Sequence, residues 1–196
     1  LLSRRQRQMC IRDRYINMPL VIIIAVLGTA LDQITKLAIA QNIPLGESVT
    51  IIDNVLYFTY THNTGVAFGL FEGAFWLFIP ITLLISAGLI WWLIKNRPLH
   101  PLMRIASGLI LAGGIGNLID RIFLGYVRDF IHVNIKFAIF NIADSMVVIG
   151  AILLGIYVLF IHDKYIKTLK NPQGEKAEAC ADAAGEESDD SNAKQY

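Results

Sequence analysis

The chain has little of what holds metals, staples small folds or grips nucleic acid. Cysteine occurs twice in 196 residues, at Cys10 and Cys180, in the two polar ends and without metal-ligand spacing. That excludes a disulfide framework and a cysteine-based zinc site. The four histidines and two cysteines form no His-x-x-x-His or Cys-x-x-Cys pattern, so neither a metal nor another cofactor is expected. Formal net charge is +1, and no basic stripe interleaved with aromatics runs along the chain. No nucleic-acid partner is expected.

What the chain has is apolar sequence. Its apolar share is 55%, against about 45–50% in an ordinary globular domain, and its mean hydropathy is +0.52. Four long apolar segments, at about 19–40, 69–94, 102–124 and 137–161, each approach the roughly 20 residues a helix needs to cross a hydrocarbon core. Lipid leaves helices as the open-ended way to satisfy the backbone. The fold class expected is an all-α membrane protein with four transmembrane helices and one integral domain over residues 18–166. Gly108, Ala112 and Gly116, at i, i+4 and i+8, offer a small-residue face for close helix packing.

Residues 1–17 (LLSRRQRQMCIRDRYIN) are basic and lack periodicity. They read as a leader, non-native or disordered, ahead of Met18, a natural initiator. The competing reading, a secretory signal, lacks a small-residue cleavage site and would have to contain Asp32 and Lys36. Residues 171–196, rich in Ala, Glu, Asp and Ser, read as an acidic disordered tail. Lys95, Arg97 and Arg104, and then Lys164, Lys167 and Lys170, put those two regions on the cytoplasmic side. Both termini then face the cytoplasm, and Asp129 faces out. On the outer side residues 48–60 (SVTIIDNVLYFTY) alternate β-branched and aromatic residues around Asp53-Asn54, which predicts a hairpin within an extracytoplasmic β element at about 44–68. His62-Asn63-Thr64-Gly65 reads as a turn after it.

Polar residues in such a chain need a reason, because desolvating them is costly. Asp32 and Lys36 are four apart on one helix face. Asn117, Asp120 and Arg121 stand at i, i+3 and i+4, and Asn141 and Asp144 at i and i+3. Taken singly each has a structural explanation: an intrahelical pair for Asp32 with Lys36, mutual neutralisation for Asp120 with Arg121, capping for Asn54, Asn63 and Asn141, and a first-turn acid for Asp144. Asp129 alone is a loop aspartate. With the orientation above they share one side of the bilayer, where no Ser/His/Asp or Cys/His set is discernible. Two carboxylates without metal suit attack of an activated water on an amide, one acid ionised and the other protonated.

The blocks DQITK (32–36), HNTGVAFG (62–69), GIGNLIDR (114–121), GYVRDF (125–130) and FNIADS (140–145) occur in order. Through them the chain resembles the lipoprotein signal peptidase family, signal peptidase II, over about residues 18–164. The resemblance implies an intramembrane aspartic endopeptidase of the bacterial inner membrane with a small extracytoplasmic β-cradle. It implies cleavage of diacylglyceryl-modified prolipoproteins just before the lipidated cysteine, without metal, and inhibition by globomycin. It also implies Asp129 and Asp144 as catalytic acids, with Asp32, Lys36, Asn63, Asn117, Asp120, Arg121 and Asn141 supporting the pocket. Expected partners are the lipidated substrates and membrane lipids, and nothing demands more than a monomer. The alternative is a small proton-coupled carrier using the same acids. It is disfavoured by the almost wholly apolar inner halves of the segments.

Overall fold

The computed structural model describes residues 4–65, 75–96, 99–134 and 138–170. In chain order the elements are α1 (Arg4–Asn42), β1 (Ser48–Ile52), β2 (Leu56–Asn63), α2 (Phe75–Lys95), α3 (Pro101–Leu124), β3 (Val127–Val133), α4 (Ile142–Ile156) and α5 (His162–Lys170). A π-helical turn, Tyr157–Ile161, precedes α5. Among the described residues four helical stretches are long and apolar enough to cross a membrane: Met18–Asn42, Trp76–Lys95, Pro101–Leu124 and Ile142–Lys167. Leu27, Leu84 and Phe123 are 64%, 73% and 78% exposed, as lipid-facing side chains are. The protein is therefore a four-helix membrane protein with a small sheet.

α1 begins earlier than expected. Residues 4–17 are helical, although the sequence predicts no regular structure there. Arg, Gln, Met and Ile all tolerate helix well, and helix formation does not require an amphipathic pattern. The fourth apolar segment starts later than expected: residues 138–140 are not helical, and Phe140 pairs with β3 instead. Residues 66–74 and 137, which belong to the expected β element, the HNTGVAFG block and the starts of the second and fourth segments, lie outside the described residues, as does the tail from 171.

Of the described residues, those up to Leu154 form one compact unit and those from Gly155 to Lys170 a second. In the second, the Tyr157 hydroxyl and His162 Nδ1 share a hydrogen bond at 3.2 Å. In the first, α3 is the central helix. It starts on His100, whose Nδ1 accepts from Leu102 N at 3.2 Å, with Pro101 in the first turn. It stops on Gly125, whose φ of 79° ends the helix while its N–H donates to Arg121 O at 3.2 Å. The small-residue face packs on α1. A Cβ on Gly108 would lie 2.8 Å from Ile24, one on Gly28 2.7 Å from the Ala112 methyl, and one on Gly116 2.5 Å from Asp32 Oδ2. Only glycine lets these backbones approach so closely.

The sheet is antiparallel in the order β1-β2-β3. β1 and β2 make the expected hairpin, with Asn54 at φ 58° in its turn. Two expectations are corrected here. His62 and Asn63, read as a turn, are the end of β2. Asp129, read as a loop residue, lies on β3, which pairs with β2 in the register Thr61↔Asp129, His62↔Arg128 and Asn63↔Val127. The sheet thus recruits a strand from outside 44–68.

Candidate active site

Chain connectivity brings Asp129 and Asp144 to one place. Gly125 ends α3 two residues before β3, so Asp129 sits just past the end of the helix. Phe140 then folds back on the strand: its carbonyl accepts from Phe130 N at 3.0 Å and Ile131 N at 2.7 Å, and its N–H donates to Ile131 O at 3.1 Å. That pairing holds Asn141, the next residue, beside β3 as α4 begins. Asn141 Oδ1 accepts from Asp144 N at 2.9 Å, and Asp144 Oδ2 accepts from Asn141 N at 3.1 Å. This reciprocal arrangement is a capping box in which Asn and Asp stand for the usual Ser and Glu. Asn141 Nδ2 meanwhile donates to Asp129 Oδ1 at 2.6 Å. One asparagine touches both acids.

Every carboxylate oxygen of the pair accepts one hydrogen bond. Asp129 Oδ2 accepts from Asn63 Nδ2 at 2.9 Å, and Asp144 Oδ1 from Asn117 Nδ2 at 2.7 Å. The orientation of each amide follows from its other end. Asn63 Oδ1 accepts from Gly65 N at 3.0 Å, Asn117 Oδ1 from Lys36 Nζ at 2.9 Å, and Asn141 Oδ1 from the Asp144 backbone. Lysine and the backbone N–H only donate, so each amide carbonyl must face them and each NH₂ must face an acid. Asn63 reaches Asp129 because, on an antiparallel pair, a residue and the diagonal neighbour of its partner share a face.

Behind the acids lies a fully buried charge cluster. Lys36 and Asp32 form the expected pair at 2.9 Å, both 0% exposed. The pair is more than intrahelical. Lys36 also reaches Asp120 at 3.4 Å and, as above, Asn117, while Asp32 Oδ1 accepts from Ala143 N at 2.9 Å and so ties α1 to the start of α4. The expected neutralisation of Asp120 by Arg121 does not occur. Asp120 pairs with Arg128, whose Nη2 lies 2.6 Å from Oδ1. Adjacent helix residues point about 100° apart, and Arg121 turns instead toward a cavity, its guanidinium 5.2 Å from the Phe78 ring centre. Its backbone contact among the described residues is a long bond to Asn117 O at 3.5 Å. The side chains of Asn117, Asn141, Asp32, Lys36 and Asp120 are thus engaged within the protein, whereas Arg121 faces space.

That cavity, about 640 Å³, is lined by both acids and Arg121 at one end and by Phe78, Val148 and Ile149 among its apolar walls. Its size and lining suit a largely apolar ligand with a few polar groups. Asp129 is 1% exposed. Burial first, and the neighbouring Asp144 carboxylate second, push its pKa up to about 7, against the hydrogen bonds from Asn63 and Asn141 and the charge of Lys36. Near neutral pH it therefore exists in both protonation states.

Two residues of the site have no place among those expected from sequence. Arg128 donates to Asp120 from its backbone N at 3.0 Å, Nε at 3.2 Å and Nη2. Gln33 Oε1 accepts from Arg128 Nη2 at 2.9 Å, and Gln33 Nε2 reaches Gly116 O at 3.0 Å and Asp120 Oδ1 at 3.2 Å. Both sit inside the sequence blocks DQITK and GYVRDF, next to Asp32 and Asp129, and the position of Arg128 one residue from an acid was the signal that could have found it.

Comparison with known proteins follows this geometry. A family model described as Signal peptidase (SPase) II matches residues 24–160. The lipoprotein signal peptidase of Geobacillus thermodenitrificans (strain NG80-2) is 48% identical over 134 residues, 67% of this chain and 84% of that protein. That of Clostridium novyi (strain NT) is 44% identical over 142 residues, 70% of this chain and 96% of that protein. A bacterial membrane enzyme solved by the in meso method at 2.3 Å resolution is similar in fold. Its TM-score is 0.66 at 38% identity, covering 79% of this chain and 90% of that one.

Proposed function

Because the chain belongs to the signal peptidase II family, we propose that Asp129 and Asp144 are the catalytic pair of its peptidase activity. The protein is an aspartic endopeptidase that releases signal peptides from prolipoproteins. The carrier alternative has no support from its relatives. The observation that carries the assignment of the pair is Asn141, which binds Asp129 through its side chain and Asp144 through its backbone.

At rest the pair shares one proton, because two buried neighbouring carboxyls do not both ionise readily; for the reaction Asp129 carries it and Asp144 is the carboxylate. A water lying between them gives a proton to Asp144 as its oxygen bonds to the scissile carbonyl carbon, and Asp129 gives its proton to the carbonyl oxygen. The neutral gem-diol then returns a hydroxyl proton to Asp129, Asp144 passes its proton to the amide nitrogen, and the C–N bond breaks. The signal peptide leaves with a new carboxyl group and the lipoprotein with a free amino terminus. Asn63, Asn117 and Asn141 hold the acids in place by donating to them, and Lys36, Asp32 and Asp120 fix Asn117 and the start of α4.

The substrate is the diacylglyceryl-modified precursor, cut before its lipidated cysteine. Val148, Ile149 and Phe78 accept its apolar portion, and Arg121 donates to substrate carbonyls. Asn117 holds Asp144 through its side-chain amide. The enzyme acts as a monomer in the bacterial inner membrane, with both termini cytoplasmic, its acids on the outer side and lipid around the helices. Globomycin-type inhibitors compete for the cavity. The peptidase domain is residues 18–166, flanked by the basic leader and the acidic tail.

The test is a gel-shift assay on a diacylglyceryl-modified precursor and its unlipidated twin, with and without globomycin. The wild-type enzyme converts only the lipidated form, and globomycin stops it. Asp129→Asn and Asp144→Asn insert and fold but lose on the order of 10³-fold or more in turnover. Cleavage retained by either variant rejects that residue.

A further inference from the structure

We infer that Arg128, steadied by Gln33, is a positioning residue for both acids, an inference that rests on the dyad assignment above. Along a strand successive side chains alternate, so Arg128 turns away from the cavity that Asp129 faces. It grips Asp120 three times, from its backbone N, its Nε and its Nη2. The residue just before Asp129 is therefore fixed in both main chain and side chain to Asp120, near the C-terminal end of α3. Gln33 closes the clamp from α1. Its carbonyl takes the Arg128 guanidinium, and its NH₂ reaches Gly116 O, Asp120 Oδ1 and Asp32 Oδ2, the last at 3.2 Å.

The second route is electrostatic. Asp32 and Asp120 contribute two negative charges to the buried cluster, and Lys36 and Arg128 two positive ones. Lys36 spends its short contacts, both 2.9 Å, on Asp32 and Asn117, and only its 3.4 Å contact on Asp120. It can do so because Arg128 satisfies Asp120. Without the guanidinium, Lys36 would be the one cation facing a fully buried carboxylate, and attraction at low dielectric would draw it from Asn117. The Asn117 carbonyl would then lose the donor that orients it, and Asp144 the amide aimed at Oδ1. Arg128 thus reaches Asp129 through the backbone and Asp144 through Asp120, Lys36 and Asn117. Among the described residues, the cations facing the two acids are Lys36 of α1 and Arg121 of α3. His62 and Tyr60 of β2 and Tyr126 flank Arg128 on its own side.

The test measures kcat, KM and the pH profile of kcat on a diacylglyceryl-modified precursor, per mole of folded enzyme. Arg128→Met is expected to lower kcat about 10- to 100-fold, as displaced catalytic groups do, with KM within about twofold and a displaced pH profile. Arg128→Lys, which keeps the charge and loses the fork, is expected to retain a several-fold higher kcat than Arg128→Met. Adding Asp120→Asn to Arg128→Met removes the charge that draws Lys36 away, so the double variant is expected to recover several-fold over the single. Wild-type kcat and pH profile in Arg128→Met overturn the inference, as does a double variant no faster than the single. If Arg128→Met does not fold, Arg128→Lys and the double variant decide: both must show a lowered kcat, a shifted profile and little change in KM, and wild-type values overturn the inference. Asp129→Asn in the same assay keeps the two claims apart. An active Asp129→Asn refutes the dyad, whereas an inactive one beside wild-type Arg128 variants refutes only the positioning role.

Discussion

Asp129→Asn should change the protein's stability in a way that reverses with pH. The native carboxyl keeps its proton up to about pH 7, whereas an unfolded aspartate ionises near 3.9. Between those values the folded state binds more protons than the unfolded state, so wild-type stability falls as pH rises through the window and the loss is complete above about 7. From pH 5 to pH 9 the part lost covers about two pKa units, or about 3 kcal/mol at ~1.4 kcal/mol per unit. Asp129 is 1% exposed, so solvent screening does little to reduce this. Asparagine carries no such term. It does face two donors, Asn63 Nδ2 and Asn141 Nδ2, and can accept only one, which costs about 1–3 kcal/mol at every pH. Thermal unfolding in lipid nanodiscs should therefore find Asp129→Asn less stable than wild type at pH 5, and equal or more stable at pH 9. A difference that stays constant across that range would refute the reasoning, because it would mean that the native carboxyl ionises like an exposed one.

Two further perturbations probe the supports. Lys36→Met removes a fully buried cation from between Asp32 and Asp120 and should destabilise the protein by roughly 3–5 kcal/mol, read as a lowered unfolding midpoint; an unchanged midpoint would contradict a supporting role for these ion pairs. Gly116→Ala places a methyl 2.5 Å from Asp32 Oδ2, which must push that carboxylate off Lys36 or off Ala143 N. Turnover should fall about tenfold or more with the displacement of α4's first turn, and wild-type turnover would remove Asp32 from the supporting set.

How much of this was legible in the sequence depends on the range of the interaction. The four helices were, because apolar runs of membrane length state their own structure. So was the β1–β2 hairpin, whose turn residues and alternation are local. β3 was not: VRDFIHV is short, carries two charges in its first three residues, and becomes a strand only by pairing with β2 some 70 positions away. Local spacing placed Asn141 beside Asp144 and Asp32 beside Lys36, and the structure joins both pairs. It failed for Asp120, where the nearest cation in sequence, Arg121, points elsewhere and the true partner arrives on the unforeseen strand. Gln33 was missed for a similar reason. A neutral amide in an apolar helix announces nothing until Arg128 is set against it. The close-packing face of α3 was readable because glycine and alanine at i, i+4 and i+8 have few other uses in a membrane helix, but that α1 covers it was not, because the partner is set by tertiary packing.

The most direct measurement on the shared proton is a titration of Asp129 by ¹³C-carboxyl NMR in the wild-type protein and in Asp144→Asn. The account predicts a wild-type midpoint near 7 that moves to lower pH when the Asp144 charge is removed. A midpoint near 4 in both proteins would contradict it.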